Sequence, residues 1–312
     1  MLEFQPVSLS IRPVVQAYMS RYGEGSCQHS FAASYCLRDK YGDSFCEHDG
    51  FLYTLRAKQC NERERVYLFP MGGTSDTEAV RQAVSNVLND AHENGATAIF
   101  RTLTARAKDI VTSLFPGRFS VEASRDYTEY IYRIDRMVEL PGHELASRRK
   151  KIVRFFRYYG ERCMITPITE EHIGKIRHFQ HRWLEARLSD NEDDPSARLQ
   201  LEQENAGIQA ALEDFFSIGL SGIVLTIDGE VRGYEYGAPL SDECFDAMVE
   251  KGDRNISSVY RVLNHEFLRL CCEGYKFVNW EEDLGSEYLR KTKTLYKPDI
   301  MAEKFILREN NQ

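Results

Sequence analysis

Apolar and polar positions along the first 137 residues predict a series of strands interrupted by two helices. Asp49-Gly50 separates two runs of β-forming residues, which is a hairpin signal. Apolar residues at helical spacing then run up to Asn94-Gly95, and Ser75 with Glu78 predicts a capping box at the start of that helix. The predicted strands are 31–37, 44–55, 66–70, 97–103 and 126–134, and a second helix is predicted at 105–114.

A similar order returns in the second half of the chain. The predicted strands are 163–167, 221–227, 231–238, 244–249 and 277–280; the predicted helices are 170–187, capped by Thr169, 197–216, and a third that Gly274 closes. An antiparallel meander followed by a helix and a further strand thus occurs twice, which predicts a tandem α+β duplication. We predict an N-terminal domain at 1–137, a linker helix at 138–160 and a C-terminal domain at 161–312 that carries the site.

The linker helix is strongly basic. Six of the ten residues from Arg148 to Arg157 are cationic, in a chain whose net charge is -8. We expect a polyanion contact here, made by Arg148, Lys150, Lys151, Arg154 and Arg157. The partner would be tRNA, a nucleotide cofactor or lipid headgroups. A solvated linker helix with no partner is the alternative.

The overall composition narrows the class of protein. With 312 residues, 42% hydrophobic and 28% charged, the chain is long enough for two globular domains. The net negative charge argues against a protein whose whole surface binds nucleic acid or anionic lipid. No apolar run approaches the roughly 18 residues that span a bilayer. We therefore expect a cytoplasmic protein whose eight cysteines are reduced.

A dense polar stretch follows the predicted strand 277–280. Glu281 and Asp283 would share one face if that strand continued, and Tyr296 could lend a phenolic proton. Cations that could neutralise the acids or hold a phosphate follow within fifteen residues; they are Arg290, Lys291, Lys293 and Lys297. The alternative is a strand-loop-helix corner with surface ion pairs.

A helix N-terminus that faces a strand end offers backbone N–H groups and a favourable dipole to an anion. In the second half that position is 251–258. There Lys251 and Arg254 add charge, and Ser257 and Ser258 add donors, which suits a phosphate or pyrophosphate. Capping by Asn255 or Ser257 is the alternative. The counterpart at 72–75 has no nearby cation, so we expect it to be vestigial or structural.

Other catalytic chemistries have weak support. The nucleophile motif Gly-x-Ser-x-Gly is absent, and no cysteine has a local sign of activation. Cys27 with His29, and Cys46 with His48, have a spacing that could bind zinc. Strand alternation gives the same spacing by accident, so we expect no metal site.

The chain resembles the family built on the C-terminal domain of bacterial phosphatidylglycerol lysyltransferase. The motifs that carry the resemblance are Asn279-x-Glu281-x-Asp283-Leu284-Gly285, Leu289-Arg290-Lys291-x-Lys293-x-x-Tyr296-x-Pro298, and an echo of Lys-Arg-Asn-x-Ile-x-x-Phe at 148–155. Members have two tandem GNAT-type acyltransferase folds, as do the related peptidoglycan-bridge aminoacyl transferases. The resemblance implies an α+β protein with mixed, mostly antiparallel sheets flanked by helices.

The resemblance also implies transfer of an acyl or aminoacyl group, from acyl-CoA or aminoacyl-tRNA, to an amine or hydroxyl. The acceptor would attack directly, with Glu281 or Asp283 as base or orienting group and Tyr296 as acid. The residues expected to hold the donor are Lys251, Arg254, Ser257, Ser258, Asn279, Arg290, Lys291 and Lys293. No tightly bound cofactor is expected, and the acceptor could be a small molecule, a peptide or a lipid headgroup.

Three positions depart from the family pattern. Tyr288 replaces a glycine, Trp280 a residue that is usually basic, and Lys150 an asparagine. These departures concern the substrate more than the fold. The resemblance does not by itself imply a lipid acceptor. The competing hypothesis is a non-catalytic nucleotide- or tRNA-binding protein that keeps a relic transferase cleft.

Overall fold

The computed structural model describes residues 2–73 and 75–310. Within them the helices are α1 (Arg12–Tyr22), α2 (Phe31–Cys36), α3 (Arg38–Tyr41), α4 (Thr77–Glu93), α5 (Ala105–Leu114), α6 (Ile134–Glu139), α7 (Ala146–Tyr159), α8 (Glu170–Asp190), α9 (Pro195–Glu213), α10 (Val259–Cys271) and α11 (Glu287–Thr294). Single 3-10 turns lie at Leu9–Ile11, Ala57–Gln59, Arg125–Tyr127 and Gly160–Arg162.

The strands in the same ranges are β1 (Gln5–Pro6), β2 (Asp43–His48), β3 (Phe51–Arg56), β4 (Glu64–Tyr67), β5 (Met71–Gly72), β6 (Thr97–Leu103), β7 (Phe119–Ala123), β8 (Glu129–Arg133), β9 (Cys163–Pro167), β10 (Ser221–Ile227), β11 (Glu230–Pro239), β12 (Cys244–Gly252), β13 (Phe277–Asn279), β14 (Ile300–Ala302) and β15 (Phe305–Glu309).

The chain divides into two compact units. Residues up to Ile131 and residues from Glu281 onward form unit 1, and Tyr132–Trp280 forms unit 2. This division differs from the predicted domains 1–137, 138–160 and 161–312. The acidic segment after β13 and the last helix belong to unit 1, because β15 pairs antiparallel with both β6 and β7. The basic helix α7 lies inside unit 2.

Unit 1 is built on a mixed sheet with the order β1-β2-β3-β4-β6-β15-β7, to which β5 adds by pairing with β3. Among the described strands of this sheet, β4 and β6 are the pair that runs parallel, and α4 lies between them in the chain. The apolar face of α4 packs against large side chains of the strands, including Tyr53, Tyr67 and Phe100. In the same unit, β14 pairs antiparallel with β8.

Unit 2 contains the strand order β13-β12-β11-β10-β9. Strands β9 to β12 are antiparallel, whereas β13 runs parallel to β12 after the connecting helix α10. Phe245 packs on Phe267 of α10, and Tyr234 packs on Phe179 of α8, so helices cover both faces. The predicted class, α+β with mixed, mostly antiparallel sheets flanked by helices, is confirmed, and the meander, helix and parallel strand occur in both units.

Most predicted elements are present, and β6, α5, β9 and β10 have the predicted bounds. The strand predicted at 31–37 is wrong. Ser30 accepts a hydrogen bond from the Ala33 N–H through its side chain and starts α2 there. The capping box predicted at Ser75 is wrong too, because Asp76 caps α4 by accepting from the N–H groups of Glu78 and Ala79. Helix α1 and strand β7 were not predicted.

The close approach of β11 and β12 gives a direct test of the fold. Replacing Gly237 by alanine would place a Cβ on the carbonyl oxygen of Asp246, next to the bulge where the register of these strands shifts. We expect Gly237→Ala to lower the free energy of unfolding by about 3 kcal/mol or more. Gly174→Ala, in open space on α8, should be neutral or stabilising. Urea unfolding of both variants measures this, and equal stabilities would contradict the described packing.

Candidate functional site

The acidic segment 281–285 is a tight loop. Strand β13 ends at Asn279, and Glu281, Leu284 and Gly285 have positive φ. The carbonyl of Glu281 accepts a hydrogen bond from the Tyr130 N–H, and the Leu284 N–H donates to the carbonyl of Asp126. The expectation that a continued strand places Glu281 and Asp283 on one face is therefore wrong, because the chain turns at Glu281.

The carboxylate of Asp283 is the centre of this loop. It has no exposed area. Its Oδ2 accepts from the Tyr130 hydroxyl at 2.6 Å and from Nε of Arg290 at 3.0 Å. Nη1 of Arg125 also donates to Oδ2 at 3.2 Å, while Oδ1 accepts from Nη2 of Arg290 at 2.9 Å and from the Gly285 N–H at 3.0 Å. Both oxygens are thus fully engaged.

These contacts set the protonation state of Asp283. Burial disfavours the charged form, but the hydrogen bonds from Arg290, Tyr130 and the Gly285 N–H outweigh it and hold the pKa of Asp283 well below its usual range. Such a carboxylate is a poor proton acceptor at neutral pH. The geometry makes Asp283 an anchor for neighbouring groups.

The groups anchored by Asp283 are two arginines with solvent-accessible guanidinium groups. The side chains of Arg125 and Arg290 are 45% and 34% exposed. Arg290 also donates to Asp126 at 3.0 Å, and the Tyr130 hydroxyl accepts from Arg125 at 2.8 Å. Asp283 and Asp126 balance the charge of these two arginines, so what they offer a phosphate is a set of oriented, solvent-accessible N–H donors.

Lys293 and Glu282 lie beside this anchor with altered acidity. Nζ of Lys293 donates to the backbone carbonyl of Glu282 at 2.5 Å and lies 5.7 Å from the ring centre of Tyr130. Burial lowers the pKa of Lys293. Burial, followed by the nearby Glu129 carboxylate, raises the pKa of Glu282. Adjacent residues in one loop, Glu282 and Asp283, thus have pKa values shifted in opposite directions.

A buried series of polar side chains extends from Glu282 within unit 1. Sγ of Cys27 lies 3.1 Å from Oε2 of Glu282 and 3.2 Å from Oε1 of Glu129. Glu129 forms a buried ion pair with Lys304 at 2.9 Å and accepts from Ser26 at 2.6 Å. Cys27 therefore connects two glutamates in different electrostatic surroundings.

The other oxygen of Glu282 is held from a second direction. Gln28 donates from Nε2 to Oε1 of Glu282 at 2.9 Å and accepts at its own Oε1 from Nη2 of Arg56 at 2.9 Å. Arg56 in turn lies 3.5 Å from Asp43 and over the ring of Tyr41. Both carboxyl oxygens of Glu282 thus have fixed partners.

The two cysteine-histidine pairs whose spacing could bind zinc have other surroundings in the structure. His29 contacts the carbonyl of Gly23 through Nδ1 at 3.1 Å, and burial lowers the pKa of His29 to about 4. Cys46 is buried in the apolar core of unit 1, whereas His48 is exposed beside Asp49. No group of three or more metal-ligating side chains occurs within residues 2–73 and 75–310.

The remaining predicted residues near the loop have different surroundings. Tyr296 is half-buried, and its backbone N–H donates to the carbonyl of Lys293. Lys291 is exposed on α11. Asn279 is buried at the end of β13 in unit 2, opposite Asp246 in the parallel pairing. The structure thus joins Asp283, Arg290 and Lys293 in one cluster with Glu282.

The predicted anion site at 251–258 lies in unit 2. The ammonium of Lys251 is buried, 2.7 Å from Glu204 and 4.4 Å from the ring centre of Trp183. Arg254 pairs with Asp190 at 2.5 Å. Ser258, at the N-cap of α10, has a φ of 72° and no capping bond from its side chain, and Ser257 is exposed. Both cations of this loop are therefore already neutralised.

The counterpart position at 72–75 is occupied by structural elements of unit 1. Gly72 ends β5 and lies against the ring of Phe51, and Asp76 caps α4. Thr74 lies outside the described residues. The structural role expected for this position remains a prediction.

The basic helix α7 presents its cations to solvent. Ile152 and Phe155 are buried on one face. Lys150, Arg154 and Arg157 lie at i, i+4 and i+7 on the opposite face and are exposed, as is Lys151, while Arg148 is half-buried. Among the described residues, the three-cation stripe Lys150, Arg154 and Arg157 has no side-chain ion pair or hydrogen bond. The stripe is thus available to a polyanion.

A comparison with family models shows which family the chain belongs to. The model described as "Phosphatidylglycerol lysyltransferase, C-terminal" matches residues 19–308. The chain belongs to this family. The match includes the Asp283 loop and α7, so the resemblance read from the sequence motifs is confirmed.

The chain is also similar to known structures and to a curated protein. A conserved protein of unknown function from Bacteroides thetaiotaomicron is 27% identical, with a TM-score of 0.89 over 99% of this chain and 100% of that one. L-PGS from Bacillus licheniformis is 15% identical, with a TM-score of 0.66 over 96% and 92%, which shows a shared fold. An uncharacterized protein of Mycoplasmoides gallisepticum is 21% identical over 58% of this chain, and the match spans only 56% of that relative.

No helix within residues 2–73 and 75–310 is both long and apolar enough to span a bilayer. All eight cysteines are free thiols.

Several residues of the site were not predicted from the sequence. Glu282 lies in the acidic segment 281–283, yet its partners Cys27, Gln28 and Glu129 are more than a hundred positions away along the chain. Lys304 begins an apolar strand region, and a lysine next to such a strand was a usable signal for a buried ion pair. Pairings at this separation require the tertiary fold.

The role of Asp283 as an anchor can be tested by stability. Replacing Asp283 with asparagine removes the charge that two arginines share, so we expect the free energy of unfolding to fall by about 2–4 kcal/mol at pH 7. Because the folded-state pKa of Asp283 is lowered, its stabilisation is complete above the unfolded pKa near 4 and is lost as the pH falls. The difference from the unmodified protein should therefore stay nearly constant from pH 7 to about pH 5 and shrink as the pH falls below about 4.

Urea unfolding at several pH values measures this difference. Glu287→Gln, on the exposed first turn of α11, is the control and should change stability by less than about 0.5 kcal/mol. An Asp283→Asn protein as stable as the control at pH 7 would show that Asp283 anchors nothing.

Proposed function

We propose that this protein transfers an aminoacyl group from aminoacyl-tRNA to an amine or hydroxyl acceptor by direct attack. The observation that carries the proposal is the pair of partly exposed guanidinium groups, Arg125 and Arg290, which the buried Asp283 carboxylate fixes beside the Glu281–Glu282 acids. Fixed cations next to groups with altered acidity are what a transfer site needs to orient a donor and to move protons. Family membership supports transferase chemistry of this kind.

Two observations favour aminoacyl-tRNA over acyl-CoA as the donor. The cations of the 251–258 loop, Lys251 and Arg254, already pair with Glu204 and Asp190, so they offer little to the pyrophosphate of coenzyme A. By contrast, the α7 stripe Lys150, Arg154 and Arg157 is exposed and unpaired within the described residues. A row of free cations suits a phosphate backbone.

The roles proposed for individual residues follow from their surroundings. Arg125 and Arg290 orient a phosphate of the tRNA donor, with Lys291 as an exposed additional cation. Glu281 is the base that takes the proton from the acceptor, because the engaged carboxylate of Asp283 is unsuited to that role. Tyr296 stays a candidate acid. We place the reaction in the cytoplasm, where aminoacyl-tRNA is made.

The direct test is a transfer assay with the purified chain. The donors are a pool of radiolabelled aminoacyl-tRNA and, in parallel, labelled acetyl-CoA. The acceptors are small amines, peptides and vesicles of phosphatidylglycerol. We expect label to move from tRNA to at least one acceptor faster than it is lost by hydrolysis. Transfer only from acetyl-CoA would show that the donor is acyl-CoA and not aminoacyl-tRNA. Binding of tRNA without any transfer would favour the non-catalytic alternative.

The contribution of α7 can be measured separately through salt dependence. Removing the stripe in a Lys150→Ala, Arg154→Ala, Arg157→Ala triple variant should weaken tRNA binding. It should also reduce the slope of log K against log salt by about 2–3, since each lost phosphate contact removes about 0.7–0.9.

The matched control is a triple alanine variant of exposed cations on α8, at Lys175, Arg177 and Arg182, which changes the net charge equally. We expect it to keep the unmodified slope. If both triple variants lose the same slope, binding follows net charge and α7 has no special role.

A further inference from the structure

The series of hydrogen-bonded side chains that ends at Glu282 has a defined order of donors and acceptors. Arg56 can only donate hydrogen bonds, so the oxygen of the Gln28 amide must face Arg56. The amide nitrogen of Gln28 therefore faces Oε1 of Glu282 and donates to it. This fixes Oε1 as the accepting oxygen, and a proton on this carboxyl group would lie on Oε2, towards Cys27.

The thiol of Cys27 has one hydrogen and two carboxyl neighbours. Oε1 of Glu129 is 3.2 Å away, and Oε2 of Glu282 is 3.1 Å away. Both contacts can be hydrogen bonds only if one of the two carboxyl groups is protonated and donates to the sulfur. Glu129 is the ionised member, because it pairs with the buried Lys304 and accepts from Ser26. Glu282 is then the neutral one, and the order is Glu282 Oε2–H to Cys27 Sγ–H to the Glu129 carboxylate.

We propose that Glu282 is held as a neutral carboxylic acid by this relay and donates its proton to the leaving group of the transfer reaction. The inference rests on the proposed function for the nature of that reaction. As the bond from the acceptor to the acyl carbon forms, the bond from that carbon to the donor oxygen breaks. The donor oxygen approaches Oε2 of Glu282 and takes its proton, which gives up its hydrogen bond to the Cys27 sulfur in this step, and Glu281 takes the proton that the acceptor loses. A return of that proton through water restores Glu282.

The surroundings of Glu282 agree with this role. Its side chain is only half-buried, so a substrate can reach it, while its partners Cys27 and Gln28 are buried and hold it in place. The titratable and charged groups that face it are Cys27, Tyr41, Glu129 and Lys293. Burial and the Glu129 charge favour the neutral acid; they outweigh a hydrogen bond donated by Cys27, a backbone hydrogen bond and the Lys293 charge, which favour the carboxylate. Cys27 is a positioning residue in this scheme.

Infrared difference spectroscopy tests the protonation state without any need for activity. The spectrum of the full chain minus that of Glu282→Gln at pH 7 should contain the carbonyl band of a protonated carboxyl group. Glu287→Gln, the exposed control on α11, should give no such band. A difference spectrum with only carboxylate bands for Glu282 would overturn the proposal.

Kinetics with aminoacyl-tRNA test the donor role. Glu282→Gln keeps the shape and the contact with Gln28 but has no transferable proton, so kcat should fall about 100-fold or more with little change in KM. The unmodified protein should lose kcat as the pH rises through the raised pKa of Glu282, because only the neutral form donates. Cys27→Ser, which keeps one donor and one acceptor, should preserve most of the rate, and Cys27→Ala should not.

The outcomes separate this proposal from the proposed function. If the unmodified protein transfers aminoacyl groups and Glu282→Gln does so equally well, Glu282 is not the donor and only this inference fails. If the unmodified protein transfers nothing, the proposed function fails and the donor role falls with it, whereas the infrared measurement still decides whether Glu282 is neutral. Circular dichroism of each variant establishes that it is folded.

Discussion

The site in unit 1 depends on one buried carboxylate with saturated hydrogen bonds. Asp283 has no exposed area and accepts from Arg290, Arg125, Tyr130 and the Gly285 N–H. Removing such a charge from water is costly, and only a full set of donors offsets the cost. The same hydrogen bonds orient the guanidinium groups of Arg125 and Arg290 and close the 281–285 loop. The loop, the arginines and the neighbouring acids thus have their geometry because Asp283 is ionised.

Adjacent acids in this loop have opposite electrostatic surroundings. Asp283 is surrounded by donors and stays ionised, whereas Glu282 has another carboxylate and a thiol for neighbours and favours its neutral form. Environments that push the pKa values of neighbouring groups apart are the usual way in which one site obtains both an acid and a fixed charge. In this account Asp283 supplies the fixed charge and Glu282 the proton.

The sequence predicted the local elements well, because periodicity and turn residues encode them. Strand β6 and helix α5 have the predicted bounds, and Asp49-Gly50 forms the predicted turn. Residues 31–37 were mistaken for a strand because their apolar run has no clear period, and a single cap at Ser30 decides for a helix. The acidic run 281–283 was found from its composition. The anchoring of Asp283 by Arg125 was not, since more than 150 residues separate them in the chain.

The predicted domain boundaries also differ from the observed units, because pairings between distant parts of the chain determine those units. The prediction from the linear pattern assigns 161–312 to one domain, yet β15 pairs within the sheet of unit 1. This pairing leaves no local signal, because its partner strands β6 and β7 lie far from β15 along the chain. The location of the acidic segment in unit 1 follows from that pairing.

The measurement that tests this site most directly is a crystal structure with a non-hydrolysable 3′-aminoacylamino analogue of the terminal CCA nucleotides of tRNA, which carries the phosphates of the aminoacylated end. We expect a phosphate of this ligand to lie against Arg125 and Arg290, with the amide that replaces the ester within hydrogen-bond distance of Glu282. A ligand bound elsewhere on the chain, with the Asp283 loop unoccupied, would contradict the account.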